Sequence, residues 1–163
     1  MPRKIENATP PGTFDLPCAC ATARRAARAL TQMYDQHLRA HGIEGTQFAL
    51  LEALDGLGPY SQTAIGHGFG LDKTTLSRNL QVLARQGWVE GTPGQDGRER
   101  IYRVTPAGRK QLTAARPAWR RAQAELREAM GATEWDAMWS AFRTVTEVAS
   151  RSTAGQRAAR RTR

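Results

Sequence analysis

Residues 58–108 read GPYSQTAIGHGFGLDKTTLSRNLQVLARQGWVEGTPGQDGRERIYRVTPAG. Ser61 can cap a short helix with Ala64, Ile65 and Phe69 inward, and Gly70 stops it. After a one-residue link, Asp72 is a strong N-cap for a second helix to about Gln86, with Gly87 as its stop signal. Leu76, Leu80 and Leu83 fall at i, i+4 and i+7, so one stripe of this helix faces a core. The opposite stripe is Lys73, Thr74, Ser77, Arg78 and Gln81, made of short donors and cations. Two helices joined by a tight turn, the second polar outside, form a helix-turn-helix signature.

Downstream, Trp88 to Gly91 reads as a strand and Arg100 to Val104 as another, with Arg100, Tyr102 and Val104 on one face and Ile101 and Arg103 on the other. Between them the glycines and proline of residues 92–98 mark a hairpin tip. Thr105-Pro106 then caps and starts a new helix. The expected fold class is mainly α with a small β-hairpin wing: a winged helix-turn-helix.

Asp96-x-Arg98 in the wing, then Thr105-x-x-Gly108 seven residues after that arginine, resembles the MarR family of regulators. The resemblance runs from about Cys20 to Val148. It implies a DNA-binding dimer whose long N- and C-terminal helices form the dimerisation region. A winged helix serving protein contacts is the alternative, and the polar outer stripe of residues 73–81 makes a poor dry interface.

Composition bounds the remainder. The 163 residues carry a formal charge of +9, which favours an anionic partner, nucleic acid foremost. Between residues 72 and 103, however, six cations meet four anions, a net of only +2. Arg151, Arg157, Arg160, Arg161 and Arg163 concentrate charge at the C-terminal end. No apolar run is long enough to span a membrane, and no leader pattern opens the chain. Two cysteines one residue apart cannot staple a fold, so a reducing, cytoplasmic setting is expected. No phosphate loop, nucleophile elbow, metal-ligand set or spaced carboxylate pair is present, which argues against an enzyme or a bound cofactor.

In chain order, residues 1–15 read as a flexible arm and 16–150 as one domain. Its dimerisation helices are expected at about 16–41 and 106–150, flanking a winged helix-turn-helix at about 46–105. The first carries Ala23, Ala27, Leu30, Tyr34 and Leu38 at helical spacing and ends at Gly42. Gly45-Thr46 is expected to cap a helix with Phe48, Leu51 and Leu54 inward, closed by Gly56 and Gly58. In the helix after the wing, Leu112, Ala115, Trp119, Ala122 and Leu126 face inward, and Pro117 is expected to bend or interrupt it. Thr133 with Asp136 is expected to cap a last helix. That helix aligns Trp135, Met138, Trp139, Phe142, Val145 and Ala149, a stripe large enough to be half of a dimer seam. Residues 151–163 read as a basic, disordered tail.

A recognition helix enters the major groove by its first turns, which singles out Lys73, Thr74, Thr75, Ser77, Arg78 and Gln81. Arg78 can pair bidentately with a guanine edge, and the threonines can meet thymine methyls or phosphates. Thr46, Ser61 and Gln62 lie at helix starts, where hydroxyl and free N–H groups bind phosphate. Arg98 would enter the adjacent minor groove, with Asp96 holding it or the turn, and Arg100 stands at the wing's base.

Four readings of the sensing end are open, metal binding the weakest of them. In peroxide-sensing members of the family, the OhrR type, a reactive cysteine opens the first helix and is hydrogen-bonded to a tyrosine fourteen residues later. Cys20 and Tyr34 have that spacing, with Cys18 beside them, but the second tyrosine of the pattern is Arg24 here. Alternatively the cysteines are unreactive helix-start residues. Metal binding lacks ligands, since His37 and His41 stand about 25 Å along the same helix from Cys20 at ~1.5 Å per residue. The resemblance also implies a small aromatic or anionic ligand, with Phe14, Arg28, Tyr34 and Trp119 as candidate walls.

Overall fold

Hydrophobic periodicity and glycine stops divide the chain much as the sequence suggests. The computed structural model describes residues 18–94 and 99–161, the last ten of these as backbone only. Helix α1 (Ala19–Leu38) passes into a 3-10 turn (Arg39–His41) that Gly42 ends in the left-handed region. Helix α2 (Gly45–Leu57) follows, then β1 (Tyr60–Ser61), α3 (Gln62–Phe69) and α4 (Lys73–Arg85). Strands β2 (Val89–Pro93) and β3 (Arg100–Val104) lead into α5 (Pro106–Met130) and α6 (Ala132–Arg161). The fold is mainly helical with a three-stranded antiparallel sheet of order β1-β3-β2. The chain divides into two compact units between Ala115 and Arg116.

In the first unit, Phe48, Leu50, Leu51 and Leu54 of α2 meet Leu76, Leu80 and Leu83 of α4 in a core with Ile65, Val89, Tyr102 and Val104. Burying each such side chain contributes roughly 1.5–3 kcal/mol. β2 pairs with β3 from Val89↔Val104 to Pro93↔Arg100, and the Glu90↔Arg103 pair carries an ion pair at 2.7 Å.

Several expectations are corrected. A third strand, β1, pairs Tyr60↔Tyr102 and Ser61↔Ile101, so the sheet exceeds a hairpin. Helix α2 starts at Gly45 and Glu44 precedes it: the Glu44 N–H donates to Gln47 Oε1, and Gln47 Nε2 donates to Glu44 Oε2. Thr46 therefore lies within the first turn instead of capping it. Of the expected inward residues of α3 only Ile65 is buried. Ala64 and Phe69 line an apolar groove of about 260 Å³ with Leu54, Leu57, Tyr60 and Gly68, because α3 is too short to be covered on both sides. Helix α5 continues through Pro117, whose ring costs local hydrogen bonding without ending the helix. Helix α6 starts at Ala132, so Thr133 is inside it. It also continues to Arg161 where a disordered tail was expected, through a stretch in which alanine and arginine, both strong helix formers, predominate. None of the helices, among the described residues, is long and apolar enough to cross a membrane.

Candidate nucleic-acid interface

Helix α4 is fixed at its start by its N-cap. Asp72 Oδ1 accepts the N–H groups of Thr74 and Thr75, both at 2.9 Å, and Oδ2 accepts the Thr75 hydroxyl at 2.7 Å. These bonds, the Thr75 hydroxyl first, hold the Asp72 carboxyl below the usual carboxylate range. The cap is therefore complete above the unfolded-state value and is lost as pH falls through the lower folded one. Asp72→Ala is expected to lower the thermal midpoint at neutral pH and flatten its acid-side decline, whereas Asp72→Asn, itself a good cap, keeps most of it. Midpoints by circular dichroism that do not separate alanine from wild type would remove this role.

The cap also sorts the expected contact residues. Lys73, Thr74, Thr75, Arg78 and Gln81 are exposed on the outer side, opposite the fully or nearly fully buried Leu76, Leu80 and Leu83. Ser77 is half-buried, and its hydroxyl oxygen accepts a 2.7 Å bond from Gln62 Nε2, which ties α3 to α4. Ser61 caps α3, accepting the Ala64 N–H at 3.2 Å. Thr46 stands on α2, half-buried. Arg100 turns back onto the sheet, donating to the Gly91 carbonyl at 2.9 Å. Asp96 and Arg98 lie outside the described residues.

Beside this face opens a polar cleft of about 390 Å³, lined by Glu44, Gln47, Thr74, Thr75, Arg78, Asn79 and Val82. The sequence reading missed Glu44, Gln47 and Asn79 in this setting. Asn79 follows Arg78 directly, and its Nδ2 donates to the Thr75 carbonyl, so its i+4 offset from Thr75 was the available signal. Glu99 was missed as well: its Oε1 accepts the Thr63 N–H at 3.2 Å, and the Thr63 and Ser61 hydroxyls lower its carboxyl pKa.

The sensing candidates sit as follows. Cys18 is the N-cap position of α1 and Cys20 its second residue, both exposed. Tyr34 is on the same helix, about 21 Å along at ~1.5 Å per residue, so the two do not meet within one chain. Tyr34 is half-buried, and burial raises its phenol pKa. Arg28 is exposed, Trp119 belongs to the second unit, and Phe14 lies outside the described residues. No three histidine, cysteine or acidic side chains gather into a metal-binding group among the described residues.

Comparison with known proteins places this geometry. A family model described as MarR family matches residues 41–99. The M. tuberculosis transcriptional regulator MosR, solved in complex with DNA, is 37% identical, with a TM-score of 0.74, over 82% of this chain and 96% of that one. PcaV, a transcriptional regulator from Streptomyces coelicolor solved with its natural ligand, shares the fold at 22% identity and a TM-score of 0.72, over 84% of this chain and 98% of its own. YwoH of Bacillus subtilis (strain 168), an uncharacterized HTH-type transcriptional regulator, is 26% identical over 87 residues. That match takes in 53% of this chain and 64% of YwoH, so the chain spans just under two thirds of that relative's length.

Proposed function

Since the chain belongs to the MarR family of DNA-binding, non-enzymatic winged helix-turn-helix transcriptional regulators, we propose that it is a homodimeric repressor released from its operator by a small ligand. One observation carries the reading: α4 is anchored by buried leucines on one side and presents Lys73, Thr74, Thr75, Arg78 and Gln81 to solvent on the other. Such a helix fits a major groove, with Ser77 and Gln62 behind it, and Ser61 and Thr46 near phosphates. Arg98, with Asp96, would reach the neighbouring minor groove from the wing, whose base holds Arg100. A two-fold dimer would set two such helices roughly 34–36 Å apart on a near-palindromic site.

The dimer reading draws support from α6, where Trp139, Phe142, Val145 and Val148 are 43–61% exposed in the single chain. MosR was solved with DNA and PcaV with a ligand, which supports both halves of the proposal. Arg28, Tyr34, Trp119 and Phe14 remain the proposed ligand walls, and the ligand a small aromatic or anionic molecule. A regulator of this kind acts in the cytoplasm. The exposure of both Cys18 and Cys20 favours a second reading, in which oxidation of Cys20 by an organic peroxide releases DNA.

The test is titration of the protein onto its own upstream DNA, with and without organic hydroperoxide, followed by thiol. Specific binding lost on oxidation and restored by thiol selects the redox reading; binding indifferent to oxidant selects a ligand. Absence of specific binding in moderate salt would leave a winged-helix interaction module. Arg78→Ala is expected to relax preference at one base-pair position per half-site, by about 1–3 kcal/mol. An unchanged site-selection profile would exclude direct readout by Arg78.

A further inference from the structure

We propose that Glu99 is a positioning residue that latches the wing to the start of α3 and so sets where the wing meets DNA, an inference that rests on the reading that the wing contacts DNA. The strand register brings the parts together. Pairing of Tyr60↔Tyr102 and Ser61↔Ile101, carried on by two residues, sets Thr63 opposite Glu99. There the β ladder gives way to α3, and Thr63 has a backbone N–H with no partner inside the helix. The Glu99 carboxylate accepts it at 3.2 Å, and the neighbouring Thr63 and Ser61 hydroxyls favour its charged form.

The backbone of the same residue works on the other side. The Gly94 N–H donates to the Glu99 carbonyl at 2.7 Å, one step beyond the Pro93↔Arg100 pair, and so closes the described part of the hairpin. Glu99 thus joins β2 to α3 through one residue, by its carbonyl and its carboxylate. From α3 the connection runs on, because Gln62 donates to Ser77 of α4 at 2.7 Å. Polar contacts joined through the Gln62–Thr63 backbone thus link the wing's neck to α4. The charge on the carboxylate makes this a directional tie, since charge-assisted bonds are about twice as strong as neutral ones.

Amide exchange on the DNA-free protein, with footprinting on a duplex from its own upstream region, tests the latch in Glu99→Ala and Glu99→Gln. In Glu99→Ala the amides of both Thr63 and Gly94 are expected to exchange about tenfold faster while Leu80 and Leu83 stay protected. Its affinity for the duplex is expected to fall about tenfold, with protection lost at the outer edges of the site. Glu99→Gln keeps an acceptor oxygen and is expected to stay within about threefold of wild type on both readouts. Faster exchange at Thr63 alone, with Gly94 and affinity unchanged, would reduce Glu99 to a helix cap and overturn the proposal. Uniform acceleration reaching Leu80 and Leu83 would mark a general loss of stability and overturn it as well. A wild-type footprint confined to the α4 contacts would refute wing contact itself, while exchange at Gly94 would still decide the latch.

Discussion

Gly108→Ala is expected to destabilise the protein by on the order of 3 kcal/mol, a large share of a total that is roughly 5–15 kcal/mol for a domain. On helix propensity alone the change would gain about 1 kcal/mol, because alanine is the better helix former. Packing reverses the sign. A Cβ on Gly108 would collide with the Trp88 carbonyl oxygen and lie 2.8 Å from Val104 Cγ1. The Trp88 carbonyl cannot retreat freely, since it accepts the Thr105 N–H at 3.0 Å. The Thr105 hydroxyl in turn donates to the Gly87 carbonyl at 2.6 Å and accepts the Gly108 N–H at 3.0 Å. One methyl group would therefore pry the first turn of α5 from the neck of the wing. Gly56→Ala is the internal control: it lies in α2, nothing comes within 4 Å of its Cβ position, and the change is expected to stabilise by about 0.5–1 kcal/mol. Urea titrations of both variants decide the matter, and equal midpoints for Gly108→Ala and wild type would refute the packing argument.

The second large effect concerns α6. Trp139→Glu with Phe142→Glu is expected to leave the chain helical but monomeric, and to weaken operator binding by at least about 100-fold. Both side chains are more than two-fifths exposed in the single chain, so their loss takes little from it. Trp135 stacks edge-on against Trp139 at 5.8 Å, which fixes the indole as a flat apolar wall. Carboxylates placed in a seam built on that wall would be desolvated without partners, at a cost of several kcal/mol. Light scattering reports the mass and circular dichroism the helicity. A double variant that remains dimeric, or a monomer that binds the operator undiminished, would defeat the proposed assembly.

What the sequence made legible follows the range of the interactions involved. Asp72, Gly70 and Gly87 act on their immediate neighbours, so the limits of α3 and α4 could be placed to within a residue. The leucine stripe of α4 is a local period and proved buried as expected. Strand β1 is two residues long, too short for any period, and exists only through pairing with β3 some forty residues away. The same distance hid Glu99, whose partner Thr63 is 36 positions earlier. Glu44 was overlooked as the residue preceding α2 because glutamate is an uncommon N-cap; its exchange of bonds with Gln47 needed coordinates. Gly108 could be noted from its spacing to Thr105, whereas the reason for it, the Trp88 carbonyl, is tertiary.

In the proposed complex Gln62 and Ser77 would meet DNA already bonded to each other, so a base edge that engaged them would replace an existing hydrogen bond and add little to the total. Their rotamers were fixed when α3 and α4 packed together, and binding need not fix them again. A base that does not engage them leaves the existing bond in place. In the proposed complex the pair would be a brace more than an adhesive, holding the outer face of α4 in shape before any duplex arrives.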